Sequence, residues 1–464
     1  MSANSLFFSD SQIDQIREGA MDILAEIGVK LGRSELITQL KEKGFLVAGD
    51  FVRIDKTLSR KKIEERKEIT PTIQSKQQIK TYISPYSHIY ETLSGTFEGI
   101  TAESNAKMAQ FAANVAKIWP SLSISPPGHP RDLPPELQFF RQTINGYIWC
   151  EGFSPLEPTS IKVAPYYFEL REAMGKPVTD LPIYVASPLN VSGESFDISL
   201  AYAHKINEVH VGSMPSLGAN TPLNLVAAYS QTLAEVVGGA VVFEALTGVR
   251  AYYNTRILPF DFYDMTMPFG SPEMMFLECA NTEVSARVSG GAYFGPSAAD
   301  IHVMAPRSGV QASAEKAALA AAGAMLGASH MYCSGTVAMD EVFSPVQLLL
   351  DLEMLEHVQK MVDGLPNDKF EGDLIEEVRE GMKQGYLMSD RTLDNMRDYM
   401  WRPNFFTRKT FGAYSEKAYP LEIEKAMEKA HELMAMPPSW KISNEAEAEA
   451  EKIFKLAYEH ITKR

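Results

Sequence analysis

Cysteine is scarce in this chain. Only Cys150, Cys279 and Cys333 occur among 464 residues, and their wide spacing argues against a disulfide framework. It fits a reducing compartment, so a cytoplasmic protein is expected. No uninterrupted apolar run approaches the roughly 18 residues of a membrane span. The opening MSANSLFFSDSQ lacks the basic start and apolar stretch of a secretory signal, and no membrane partner is expected. There is no P-loop and no GxGxxG after a strand, which leaves phosphate cradles unsupported. A GxSxG elbow is missing. Neither CxxC nor HExxH occurs and the nine histidines are scattered, so no metal is expected from spacing.

Positive charge is also short. The net charge is −15, which disfavours nucleic acid, whose phosphates need a basic face. Between Ile206 and Gln359 the cations are Arg250, Arg256, Arg287, Arg307 and Lys316, and carboxylates outnumber them. Such a region suits a cationic ligand better than a phosphorylated one; a core that merely excludes charge reads the same way.

What is present is alternation. Val209–Met214 is a short apolar run that ends in turn chemistry at Pro215, Gly218 and Asn220. Thr221 then reads as an N-cap with Pro222 at the first helical position. Apolar residues follow at helical spacing through Leu223, Val226, Tyr229, Leu233, Val236, Val237 and Val241 to a stop at Gly248, and a second apolar run begins at Val249. This is a β-loop-α-β unit, and the loop after its first strand is where such sheets place chemistry. Gly238-Gly239 and Gly323 read as close packing of helix on sheet.

The same alternation extends along the chain. Strands are expected near His88–Tyr90, Ser121–Ser125, Tyr147–Cys150, Ile183–Ala186, Val209–Met214, Arg250–Tyr253, Ala292–Phe294 and His330–Cys333. Helices are expected between them, at 104–119, 135–144, 164–174, 194–205, 222–246, 272–287 and 312–326, with a last one at 344–362 capped by Ser344. Eight of each over about 250 residues fits a (β/α)8 TIM barrel, with a doubly wound open sheet as the alternative. Residues 1–85 read as an appended N-terminal segment of helices and short strands, 86–364 as the barrel and 365–464 as a C-terminal helical extension, broken at Trp401–Asn404.

No proposed strand among the last five carries a lysine, which lowers the prospect of Schiff-base chemistry. The strand ends carry aromatic and amide groups instead: Trp149 and Phe153, then Tyr253 and Asn254 with Arg256 just beyond, then Tyr293, then His330 and Tyr332 on one face by period-two parity. Aromatic faces converging on one mouth suit a quaternary ammonium, which is drawn to π density and offers no hydrogen bond. Asn254, Arg256 or His330 would hold a carboxylate on the same ligand. Taken singly, each of these side chains has a core reading as well, and Arg256 has a neighbouring acid in Asp261.

Several stretches have a familiar wording: MPSLGANTPLNLVAAYSQTLAEVVGGAVVFEALTG at 214–248, FGSPEMMFLECAN at 269–281, VQASAEKAALAAAGAMLGASHMYCSG at 310–335 and FSPVQLLLDLEML at 343–355. With QIREGAMDILAEIGVKL near the start and GYLMSDRTLDNMRDYMWRPNFFTR at 385–408, they span almost the whole chain. In these motifs the chain resembles the trimethylamine methyltransferase superfamily, the corrinoid-dependent methylamine methyltransferases. That resemblance implies a TIM barrel whose mouth receives a methylated amine and the corrinoid of a separate partner protein, with no cofactor held permanently. Founding members carry pyrrolysine, whereas every residue here is a standard one. The resemblance therefore implies the branch that demethylates quaternary amines such as glycine betaine, proline betaine or carnitine, and no catalytic residue is carried over. The alternatives are a tertiary-amine methyltransferase on the same scaffold and a non-catalytic binder of methylated amines. A homo-oligomer is also expected.

Overall fold

The computed structural model describes residues 6–65, 78–290, 298–365, 369–417 and 420–463. Its centre is a set of short parallel strands, each followed by a helix. We label them β1 (Lys80–Ile83), β2 (Leu122–Ser123), β3 (Asp180–Tyr184), β4 (Glu208–Gly212), β5 (Arg250–Tyr253), β6 (Ala298–Asp300) and β7 (His330–Ser334). The fold is α/β. The strands form two open arcs in chain order: β6, β7, β1 and β2 in one, β5, β4 and β3 in the other, all parallel. The pairing of β7 with β1 brings the last strand of the set beside the first. Among the described residues no pairing links β2 to β3 or β5 to β6, so the sheet is not closed.

Alternation decides which face each strand buries. Leu181, Ile183, Val209, Val211, Ala251 and Tyr253 are buried against helices, while Tyr184, His210 and Tyr252 between them face the other way and stay partly open. The covering helix is Leu225–Thr247, capped by the Asn224 side chain on the Ala227 N–H and stopped at Gly248 in the left-handed region. By length and composition it is apolar enough to cross a membrane, but most of it is buried inside this fold. A Cβ at Gly239 would lie 3.0 Å from Val211, and one at Gly238 only 2.4 Å from Val29, so this helix touches both the sheet and the N-terminal segment through its glycines. Gly323 does the same beside Ala299.

Three expectations are corrected. The parallel set begins at Lys80–Ile83, within the segment read as an N-terminal appendage, while Ile89–Glu91 joins a small separate sheet with Phe97–Gly99 and Val342–Phe343. Tyr147–Cys150 is not a strand but the end of helix Pro135–Trp149. Its buried residues Leu137, Phe140, Ile144 and Ile148 keep helical spacing, and a short apolar run cannot reveal by itself which period it continues. Thr221 and Pro222 stay in the loop, because the Asn224 amide oxygen makes the cap three residues later. The expected strand at 292–294 lies outside the described residues.

The ends of the chain pack onto this centre. Helix Asp10–Glu26 lies on Leu225–Thr247, beside a three-stranded antiparallel sheet of Val29–Lys30, Phe51–Arg53 and Leu46–Ala48. After residue 364 the described residues form the helices Leu374–Gln384, Asp390–Tyr399, Phe411–Lys417, Glu422–Ala435 and Asn444–Thr462. Helix Glu422–Ala435 covers Pro345–Asp363, and Asn444–Thr462 lies on Pro135–Trp149 and Ala164–Ala173.

Candidate active site

The strand register lines up aromatic and ionisable side chains near the carboxyl ends of β6, β7 and β1. Asp300, Tyr332 and Tyr82 are direct neighbours across three strands. The Tyr82 ring stacks on Tyr332 at 4.8 Å and on His330 at 5.8 Å. Tyr332, Tyr86 and Tyr184 keep 40%, 43% and 48% of their surface open, which leaves ring faces available to a ligand. The Tyr184 hydroxyl donates to Glu157 at 2.7 Å. Burial, reinforced by the charges of Glu157, Cys333, Asp340 and Asp300, pushes the Tyr86 phenol far up, so each of these four groups acts on Tyr86.

Arg256 follows β5 and bridges the unpaired joint between the arcs. Its Nη2 donates to Glu278 at 2.5 Å, on helix Pro272–Val288, and to Asp300 on β6. Burial favours the neutral form of Glu278, and Arg256 only partly opposes it, so this carboxyl stays above its ordinary range. Burial would raise Asp300 as well, but Arg256 and His302 outweigh it and hold Asp300 below its usual value. Arg256 is thus already matched by two carboxylates. Glu278 and Asp300 pair with this guanidinium, Glu157 accepts from Tyr184 and Asp340 stands near His302, so acids outnumber Arg256 around the mouth and it is electronegative.

The end of β7 and the turn that follows it are held unusually firmly. Cys333 has φ +76°, a left-handed conformation that costs a residue with a Cβ roughly 1–2 kcal/mol. Its carbonyl accepts from Lys316 Nζ at 2.9 Å and from Thr336 Oγ1 at 2.7 Å. Asp351 pairs with Lys316 at 2.7 Å, both side chains fully buried, and accepts from the Gly335 N–H at 2.7 Å. Two of the familiar stretches, one holding Lys316 and Cys333 and the other Asp351, therefore build one turn. The Cys333 thiol itself lies 3.0 Å from His302 Nε2. Burial pushes that thiol well up and the His302 imidazole down.

The expected site residues divide. Tyr332 and Arg256 meet at this mouth. His330 stacks below, at the amino end of β7, with Nδ1 3.0 Å from Ser329 Oγ. Asn254 is exposed beside Gly212, at the ends of β4 and β5. Trp149 instead carries the Lys441 ammonium over its ring at 5.2 Å, against the C-terminal segment. Phe153 is buried edge-on against Tyr147, and Tyr253 is buried with its hydroxyl 3.4 Å from the Ile63 carbonyl, in the helical layer. These three are turned away from the mouth. Tyr293 lies outside the described residues. Unforeseen were Tyr82, Tyr86, Glu157, Tyr184, Asp300, His302, Cys333 and Asp340. Asp300 and His302 could have been found from ADIH, where alternate polar residues share one strand face.

An α/β scaffold with aromatic rings and carboxylates at its strand ends defines a class of small-molecule site. The comparisons narrow it. The model of the trimethylamine methyltransferase (MTTB) family matches residues 3–78 and 159–453, and this chain belongs to that family. Trimethylamine methyltransferase MttB of Methanosarcina barkeri is 26% identical over 254 residues, covering 54% of this chain and 50% of the relative. The chain thus spans about half the length of this relative. The MttB of Desulfitobacterium hafniense DCB-2 is 24% identical over 316 residues, 64% of this chain and 62% of its own. Glycine betaine methyltransferase of D. hafniense Y51 is 23% identical over 299 residues, 60% and 61%. Among solved structures, M. barkeri monomethylamine methyltransferase (MtmB) aligns over 92% of this chain and 93% of that one at 10% identity, with a TM-score of 0.38.

Proposed function

We propose that this protein transfers a methyl group from a quaternary ammonium compound to the reduced cobalt of a corrinoid carried by a partner protein. The observation that carries this reading is the electronegative, ring-lined mouth, whose guanidinium is already neutralised by Glu278 and Asp300. Such a mouth favours a methylated nitrogen cation. In this reading the two arcs are parts of one (β/α)8 barrel, with the Arg256–Asp300 pair spanning one of its joints and the partner docking over the carboxyl ends.

The chemistry asked of the chain is modest. Methyl transfer to a reduced-cobalt nucleophile needs a good leaving group, and a quaternary nitrogen departs as a neutral amine without a proton donor. Tyr332, Tyr184 and Tyr86 would surround the methyls, with each ring contributing about 0.5–2 kcal/mol of cation–π attraction. The carboxylates add long-range attraction. Holding the cation too tightly would stabilise the ground state, because positive charge leaves nitrogen as the reaction proceeds. An incomplete cage that aims one methyl outward and excludes water is therefore the productive arrangement.

Arg256 is not free to receive a substrate carboxylate, which shifts that role in a betaine toward Asn254. The same carboxylates favour a second reading, a protonated tertiary amine, since its N–H would find an acceptor. Glycine betaine, proline betaine, carnitine and trimethylamine incubated with Co(I)-cobalamin and the cognate corrinoid protein, with methylcobalamin read from the visible spectrum, separate the two. Turnover of quaternary donors alone supports the proposal. Turnover of trimethylamine alone replaces it with the second reading, and tight binding without any transfer would leave a non-catalytic binder.

A further inference from the structure

Asp300 at the end of β6, His302 just beyond it and Cys333 on β7 converge, although nothing in their sequence spacing suggests a metal motif. One donor atom from each lies within 4.8 Å of the other two. His302 Nε2 is 3.0 Å from Cys333 Sγ, and its Nδ1 is 4.0 Å from Asp300 Oδ2. That Nδ1 is buried and among the described residues has no hydrogen-bond partner, an expensive condition for an imidazole. The Asp340 carboxylate stands 3.9 Å from Nε2, just outside the trio.

We propose that Asp300, His302 and Cys333 bind one divalent transition-metal ion, Zn2+ by the mixture of thiolate, imidazole and carboxylate donors. Three protein ligands leave a fourth position open, as in sites that bind a water or a substrate group. Tetrahedral zinc with donors at about 2.0–2.3 Å holds them about 3.3–3.8 Å apart, so donors up to 4.8 Å apart close by about 1 Å when the metal binds. Cys333 gives up its thiol proton to solvent when the metal binds. Lys316, Thr336 and Asp351 hold the Cys333 carbonyl and the turn behind it, so the sulfur is aimed before any metal arrives. Filling the site would not reverse the charge of the mouth. Four carboxylates and a thiolate still exceed a dication and one guanidinium, so the mouth favours a cationic substrate with or without the metal.

The test uses the intact protein and needs no substrate. After chelation and dialysis, the protein is loaded with Co2+ and its spectrum recorded, and Zn2+ is then titrated against it by calorimetry. The proposal expects one ion per chain, a thiolate-to-cobalt charge-transfer band and the visible bands of a four-coordinate site. Cys333→Ser should abolish the charge-transfer band, and Asp300→Asn should weaken Zn2+ at least about tenfold. Cys279→Ser should leave the spectrum unchanged. X-ray absorption at the zinc edge of the wild-type protein provides a measurement that does not depend on whether any variant folds, and it should show a single sulfur neighbour. A stoichiometry near zero, no sulfur neighbour, or a charge-transfer band that survives Cys333→Ser would overturn the assignment and leave a metal-free thiol–imidazole hydrogen bond.

Discussion

Among the described residues Asp351 is the one carboxylate bound to the buried Lys316 ammonium, and its removal should be among the costliest single changes in the molecule. Both side chains are fully buried. Asp351 accepts from Lys316 Nζ, the Gly335 N–H and Gln347 Nε2, each at 2.7 Å. In Asp351→Leu the ammonium keeps, among the described residues, the Cys333 carbonyl alone. Breaking a buried pair from one side costs about 3–5 kcal/mol. The abandoned Gly335 and Gln347 donors add to this, about 1–3 kcal/mol before relaxation, so a loss of about 4–6 kcal/mol is expected. Lys316→Met leaves a buried carboxylate with two donors and should cost somewhat less. The double variant carries no buried charge, and apolar replacement of a buried pair is often close to neutral. It should therefore lie at least about 2 kcal/mol above the sum of the single losses. Denaturant unfolding of the four proteins, followed by tryptophan fluorescence and far-ultraviolet circular dichroism together, measures this coupling. Single losses that simply add, or an Asp351→Leu loss below about 1 kcal/mol, would refute the reasoning that this pair is held dry and mutually dependent.

Further outcomes are expected at the site and beyond it. Tyr184→Ala and Tyr332→Ala should each weaken binding of a quaternary ammonium about tenfold, whereas Tyr253→Ala should lower stability and leave that affinity nearly unchanged; isothermal calorimetry with parallel melting curves separates the two. The native protein should react slowly with a thiol reagent at pH 8, because Cys150, Cys279 and Cys333 are all buried and burial, helped by Glu278, pushes the Cys279 thiol up to about 11; a rapid single-thiol phase would contradict this. Burial, partly opposed by Arg171, raises the Tyr147 phenol from 10.0 to about 12. The folded pKa lies above the unfolded one, so this contribution is complete below pH 10 and is lost as pH rises toward 12. Tyr147→Phe should flatten that alkaline fall in the melting temperature.

The alternation of strands and helices was legible because it rests on local periods. Ser344, Ser271 and Gly248 cap or stop their helices where turn chemistry requires it. Tyr147–Cys150 misled because four apolar residues fit either period, and the helix that owns them begins twelve residues earlier, at Pro135. The site was less legible for a different reason. Parity places Tyr332 and Tyr253 on opposite faces of their strands, but which face looks toward helices depends on packing across the chain. Arg256 was found, yet its partners Glu278 and Asp300 come from two later elements, and no local rule links them. Cys333 and His302 are separated by a whole strand-to-strand connection and meet only because β6 and β7 pair.

The central claim is that the mouth recognises a methylated nitrogen by its positive charge. Its most direct test is calorimetric binding of glycine betaine beside its tert-butyl isostere, which has the same shape and carboxylate but carbon in place of N+. The account predicts that betaine binds at least about tenfold more tightly, and that the gap narrows in Asp300→Asn. Equal affinities for the two would contradict it.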